Sequence, residues 1–229
     1  VGCGTSGRLG VLDAAECPPT FGVESNMING IIAGGYNALI KSVEGAEDSQ
    51  NNGKRAIVKE NISNLDTVIG ISASSTAAFV NGAMQESYKR GALTAFISCN
   101  KIKKSSYIKY LISVVVGPEV ITGSTRMKAG TATKLILNMI STTIMVRLNK
   151  TYGNIMVDLK VSNNKLLDRG VRIVSEITNL SYDKSKIALN NAKGTVKIAI
   201  IMVLLDIDYK DAKIYLDNNN GKLRDVIEK

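Results

Sequence analysis

Four short apolar runs alternate with stretches of helical periodicity along the first half of the chain. MINGIIAGG (27–35), DTVIGISAS (66–74), LTAFISCN (93–100) and YLISVVVG (110–117) read as strands. Residues 37–44, 53–61 and 76–90 read as helices between them, the last apolar at Ala78, Phe79, Ala83 and Met84. Strands alternating with helices over this length predict βαβ units and an α/β fold with a mainly parallel sheet flanked by helices. From residue 127 the pattern is helical. MKAGTATKLILNMISTTIMVRL (127–148) predicts one long amphipathic helix with Leu135, Met139, Thr142 and Val146 on its stripe. NKTYGN (149–154) breaks it, and 163–178 forms another helix, apolar at Leu166, Leu167, Val171 and Val174. Three helical patterns follow at 183–192, 195–205 and 209–218, with links so short that a compact three-helix unit is expected. A boundary near 178–180 then separates residues 1–178 from a C-terminal unit, 179–229.

Composition narrows the classes of function. The chain has 229 residues, 45% hydrophobic and 21% charged, as an ordinary globule with a full core requires. Histidine is absent, which excludes Ser-His-Asp and Cys-His machinery and histidine-based metal sites. Acid–base chemistry near neutral pH falls to carboxylates, Tyr, Lys or Cys. Cys3, Cys17 and Cys99 show no metal-ligand spacing and read as reduced thiols of a cytosolic protein. The longest apolar run, IAIIMVLLDI at 198–207, is too short to span a membrane. The net charge of +9 is spread without a basic arm or a recognition motif, so it points to small phosphorylated anions before nucleic acid. A glycine-rich loop follows Val1 directly, and an N-terminal segment ahead of it is expected.

Small polar residues collect where a parallel sheet binds its ligands, beyond the carboxyl ends of strands: GTSG at 4–7, SASST at 72–76 and TGSTR at 122–126. In GCGTSGR (2–8), backbone N–H groups and the Thr5 and Ser6 hydroxyls suit a phosphate. The loop lacks the ending of a Walker A motif and the acidic residue of a dinucleotide fingerprint. SVEGAEDS (42–49) gathers Glu44, Glu47 and Asp48 within five positions. In a helix these would repel at i,i+3 and i,i+4. The segment is either a solvated acidic turn or the place of a carboxylate with a proton to move.

GCGTSGRLGVLDAAECPPTFG, IIAGG, SVEGAEDS, GISAS, ISCN, VVGPEVITGSTRMKAGTATKLILNM and YGNIMVDLK occur in this order. Together they resemble the N-acetylmuramic acid 6-phosphate etherase family, built on the sugar isomerase (SIS) fold, from residue 2 to the C-terminus. The resemblance implies a cytoplasmic lyase that cleaves the D-lactyl ether of N-acetylmuramic acid 6-phosphate. The products are N-acetylglucosamine 6-phosphate and D-lactate, in the recycling of peptidoglycan sugars. It implies no metal and no nucleotide cofactor, and a homodimer in which a neighbour completes each site; the short apolar runs and the absence of a recognition motif speak against a membrane or nucleic-acid partner. The resemblance also implies a ubiquitin-associated-like three-helix bundle at the C-terminus.

Two glutamates carry the family's chemistry, and the matching positions are Glu16 in DAAECPP and Glu47 in EGAEDS. The resemblance assigns lactate departure and the incoming water to Glu16, and the C2 proton to Glu47. Read alone, Glu16 before Cys17, Pro18 and Pro19 could simply end a helix. Phosphosugar binding falls by resemblance to Thr5, Ser6 and Gly7, to the loop holding Ser74, Ser75 and Thr76, and to Ser124 and Thr125. Glu119 is matched to a sugar-hydroxyl ligand, its plainer reading being a loop acid satisfied by N–H groups. The chain departs from the family at 72–79, SASSTAAF where AASGRTPY is usual, so that Ser75 replaces a glycine and Thr76 an arginine. That departure favours the rival expectation, a catalytically weakened phosphosugar-binding regulator on the same fold; retention of both glutamates favours the enzyme.

Overall fold

The computed structural model of the chain describes residues 1–159, 161 and 163–228; Lys160, the last residue of the YGNIMVDLK block, lies outside them. Two units pack separately: Val1–Glu16 with Ser25–Ile140, and Cys17–Glu24 with Ser141–Lys229.

The first unit is built from α1 (Gly4–Phe21), α2 (Asn37–Ile40), α3 (Gln50–Lys59), β1 (Thr67–Ile71), α4 (Ala78–Lys89), β2 (Leu93–Ser98), β3 (Tyr110–Ser113) and α5 (Lys128–Arg147). The C-terminal parts of α1 and α5 count with the second unit. β1, β2 and β3 lie parallel in that order, with Val68 opposite Thr94 and Phe96 opposite Leu111. The ladder continues beyond β1. Ile71 N–H donates to Val1 O at 2.8 Å, and Gly2 N–H donates to Ile31 O at 3.0 Å. Val1 and Gly2 thus lie between β1 and residues 31–33. β2 is buried along nearly its whole length, as a parallel strand covered on both faces must be.

Ile57, Val80, Met84 and Phe96 are fully buried and form the main core of this unit. α3 and α4 cross backbone to backbone. A Cβ on Gly53 would lie 1.9 Å from Phe79 O, and one on Gly82 would lie 2.1 Å from Gln50 O. Only glycine permits that approach.

Several expectations are corrected. Residues 27–35 form no strand; Ile32 alone makes a parallel bridge, to Gly2, because glycines flank the run and leave it without cross-strand side chains. The helix expected over 37–44 ends at Ile40. Residues 44–47 are a turn in which Gly45 takes φ +68°, so the three acids do not stack along a helix, and all are exposed. α3 begins instead at Gln50, where Ser49 Oγ accepts from Asn52 N–H at 3.2 Å. On α5, Leu135 and Met139 are 52% and 60% exposed, while Ala129, Thr133, Ile136 and Leu137 face inward. That helix is apolar on several sides, so its periodicity admits two stripes, and the expected one faces outward.

The second unit contains a hairpin of β4 (Thr151–Tyr152) and β5 (Ile155–Met156), then α6 (Asn164–Thr178), α7 (Tyr182–Asn191), α8 (Val196–Leu205), α9 (Tyr209–Asn218) and α10 (Leu223–Ile227). Val171, Val174, Leu189, Val196, Ile200 and Leu223 share one core, so α6 packs with the helices that follow position 180. The three expected C-terminal helices are present, and α10 follows them. Side chains of Asn163, Ser181 and Asp208 cap α6, α7 and α9. Among the described residues, no helix is long and apolar enough to cross a membrane.

Candidate active site

The chain leaves the sheet twice at neighbouring points, from Gly2 into α1 and from Ile71 into the loop that precedes α4. Tight packing sets the first exit. A Cβ on Gly7 would meet Gly2 O at 2.7 Å and Ile32 Cγ1 at 2.6 Å, so α1 can start against the strand ends only with glycine there. Thr5 and Ser6 therefore occupy the first turn of α1, whose N–H groups lack intrahelical partners. The two exits border a cavity of about 200 Å³. Thr5, Ser6, Ser72, Ser74, Thr76 and Thr125 bring hydroxyls to it, and Glu47 a carboxylate. Helix N-termini and converging hydroxyls suit a phosphate.

The loop after β1 is held from both sides. Ala73 O accepts from Cys99 N–H at 3.2 Å and Asn100 Nδ2 at 3.0 Å. Ser75 O accepts from Asn81 Nδ2 at 3.1 Å. Ser74 Oγ and Thr76 Oγ1 lie 2.8 Å apart. Ser75 itself takes φ +64°, a left-handed conformation that costs an L-residue about 1–2 kcal/mol. The family resemblance expects a glycine at this position, and the serine here takes a backbone conformation that glycine adopts freely.

Glu47 is placed by its backbone. Its carbonyl accepts from Phe79 N–H at 2.9 Å, filling one of the open N–H groups at the start of α4. The side chain borders both the hydroxyl-lined cavity and an adjoining one of about 320 Å³ that also touches Cys3, Gly4 and Arg8. The Cys3 thiol reports the charge of this junction. Burial first, and the Glu47 carboxylate second, push it up to about 11.

Glu16 stands elsewhere. It lines a hollow of about 240 Å³ with Leu9, Leu12, Asp13, Lys134, Leu137 and Asn138. Asn138 Nδ2 donates to Asp13 Oδ1 at 2.6 Å across it. α1 does not end at Glu16 but runs on to Phe21, taking Pro18 and Pro19 into its last turn. With a rise of 1.5 Å per residue, Glu16 lies roughly 16 Å along the axis from Thr5. Glu119 accepts from Lys128 N–H at 3.0 Å and Ala129 N–H at 3.1 Å, so it caps α5. Those two bonds, Ala129 before Lys128, hold its carboxyl below the usual range. Of the Ser124–Thr125 pair, Thr125 lines the cavity and Ser124 Oγ accepts from Arg126 Nε at 3.4 Å. Gly7 shapes the site from beneath, and Ser75 contributes its backbone turn. Cys3 and Asn81 carried no signal in the sequence beyond Cys3 standing between two glycines. Among the described residues, no cluster of three His, Cys, Asp or Glu side chains could hold a metal ion.

The chain is similar to known proteins along nearly its whole length. Residues 1–88 match the family model of the glucokinase regulatory protein N-terminal SIS domain, so the parallel sheet is of the SIS type. Residues 153–195 match the C-terminal lid domain of glucokinase regulatory protein. An N-acetylmuramic acid 6-phosphate etherase of Shouchella clausii (strain KSM-K16) is 50% identical over 229 residues, covering 100% of this chain and 77% of that protein. One from Clostridium botulinum (strain Eklund 17B / Type B) is 49% identical, covering 97% of the chain and 74% of the relative. One from Francisella tularensis subsp. holarctica (strain LVS) is 50% identical, covering 98% and 76%.

Proposed function

The chain belongs to the N-acetylmuramic acid 6-phosphate etherase family, and from that membership we propose that it is a carbon–oxygen lyase acting on N-acetylmuramic acid 6-phosphate. The observation that carries the reading is the meeting of Glu47 with the hydroxyls of Thr5, Ser6, Ser74, Thr76 and Thr125 around one cavity. The cradle takes the 6-phosphate. In the open-chain sugar the C1 aldehyde acidifies C2, and Glu47 removes the C2 proton. The electron pair forms the C2–C3 double bond as the C3–oxygen bond breaks. Lactate leaves with a proton from Glu16. Water then adds at C3 and a proton returns to C2, giving N-acetylglucosamine 6-phosphate. General acid–base steps of this kind contribute about 10²–10⁴-fold each.

A cytoplasmic homodimer belongs to the same proposal. The span of α1 between Thr5 and Glu16 exceeds the length of a hexose phosphate, so the Glu16 that serves one cradle comes from a second copy. Support comes from the outward face of α5, where exposed Leu135 and Met139 adjoin the Lys134 and Asn138 of the Glu16 hollow.

The test is release of D-lactate from N-acetylmuramic acid 6-phosphate, with deuterium exchange at C2 of the product followed in D₂O. Wild type is expected to release lactate and exchange C2, and Glu47→Gln to lose both by at least about 10²-fold. A wild-type chain that binds substrate without releasing lactate, or an E47Q variant that exchanges C2 normally, overturns the assignment.

A further inference from the structure

Asn81 lies outside the hydroxyl-lined cavity, on α4, yet holds the most strained residue of the cradle. Its Nδ2 donates to Ser75 O at 3.1 Å. The Tyr107 hydroxyl donates to its Oδ1 at 3.4 Å. One amide orientation satisfies both contacts, since only the nitrogen can donate to a carbonyl and only the oxygen can accept from a hydroxyl. Ser75 N–H meanwhile donates to Ser72 O at 3.2 Å, closing the turn. The two carbonyls flanking Ser74, those of Ala73 and Ser75, are thus both engaged by asparagine amides. The hydroxyls of Ser74 and Thr76 are left on the cavity.

We propose that Asn81 is a positioning residue for phosphate recognition: its amide, oriented by Tyr107, locks Ser75 in the left-handed conformation that aims Ser74 and Thr76 at the phosphate. The requirement follows from the serine. A glycine at 75 adopts φ +64° without cost, whereas serine without a partner on its carbonyl relaxes toward negative φ and rotates both neighbours out of register. This inference rests on the cradle being the phosphate site of the proposed lyase.

Calorimetric titration of the full chain with inorganic phosphate and with N-acetylglucosamine 6-phosphate tests it, beside lactate-release kinetics. Asn81→Ala is expected to weaken both ligands about tenfold, equivalent to roughly 1.4 kcal/mol. KM should rise by a similar factor while kcat stays within about twofold, since ground-state and transition-state binding of a remote phosphate fall together. Tyr107→Phe, which releases the amide without removing it, should weaken binding about twofold to threefold, a fraction of one hydrogen bond. The deciding variant is N81A/S75G. With glycine at 75 the lock is unnecessary, so the double variant should bind within about twofold of S75G alone. A residue that merely supported α4 would not be rescued in that way. Phosphate binding unchanged in N81A, no rescue by S75G, or a wild-type chain that binds neither ligand overturns the proposal. Loss and rescue of phosphate binding in a chain that releases no lactate would uphold it while removing the lyase reading.

Discussion

Cys3 stands at the junction of two cavities with the Glu47 carboxylate as its electrostatic neighbour. A thiol pushed up to about 11 is protonated throughout the physiological range, so Cys3 should react slowly with iodoacetamide at pH 8 and accelerate only as pH approaches that value. Glu47→Gln removes the second-largest cause of the shift, and alkylation of Cys3 at pH 8 should quicken. Mass-spectrometric rates for Cys3 that ignore this substitution would separate Glu47 from the cavity. At this scale the cradle is legible in the sequence, because glycines and hydroxyls declare their chemistry by residue type. The separation of Glu16 from Glu47 is not, because it depends on the direction in which α1 leaves the strand ends. The left-handed backbone of Ser75 is legible only through the glycine that the resemblance expects there, since a serine by itself gives no such sign.

The α3–α4 crossing sets where α4 begins, and with it the Phe79 N–H that receives the carbonyl of Glu47. Gly82→Ala puts a methyl group within 2.1 Å of Gln50 O. A clash with backbone cannot be relieved by a rotamer change, so a loss of about 2–3 kcal/mol is expected in urea unfolding. Gly130→Ala on α5 is the control, its new Cβ meeting Thr5 Cγ2 at an ordinary 3.7 Å. Equal stability of the two variants would refute the crossing as described. Among the elements, β1, β2, α4 and α6 to α9 stand close to their expected bounds, because each carries an uninterrupted strand run or a clear period. Residues 27–35 mislead because only Ile31 to Ala33 reach the sheet, through the single residue Gly2, too short a pairing for a strand. α5 misleads because its sides are nearly alike in hydrophobicity, so only packing chooses the face. α10 is too short to show a period.

For the whole molecule, a shared site has a signature no single chain can imitate. Glu16→Gln and Glu47→Gln chains, each inactive alone, should regain activity when unfolded and refolded together. Random pairing gives about a quarter of the wild-type rate if Glu16 from one copy serves the cradle of the other. No recovery, with mixed dimers verified by mass, would place both glutamates in one chain's site. The division into units has a consequence in time. Cys17–Glu24 belong with Ser141–Lys229, and Phe21 packs against the second core. During synthesis at 5–20 residues per second, that early segment must wait roughly 6–23 s for position 141 to be made. Over that interval the chain adds only residues of the first unit, which is complete at Ile140, just as the partner of the early segment begins. Proteolysis of ribosome-bound chains stalled with residue 140 outside the exit tunnel should find Ser25–Ile140 protected and Cys17–Glu24 cleavable; protection of both would mean that the early segment finds a partner on the ribosome. The order of translation thus asks eight residues near the beginning to stay soluble until the end arrives.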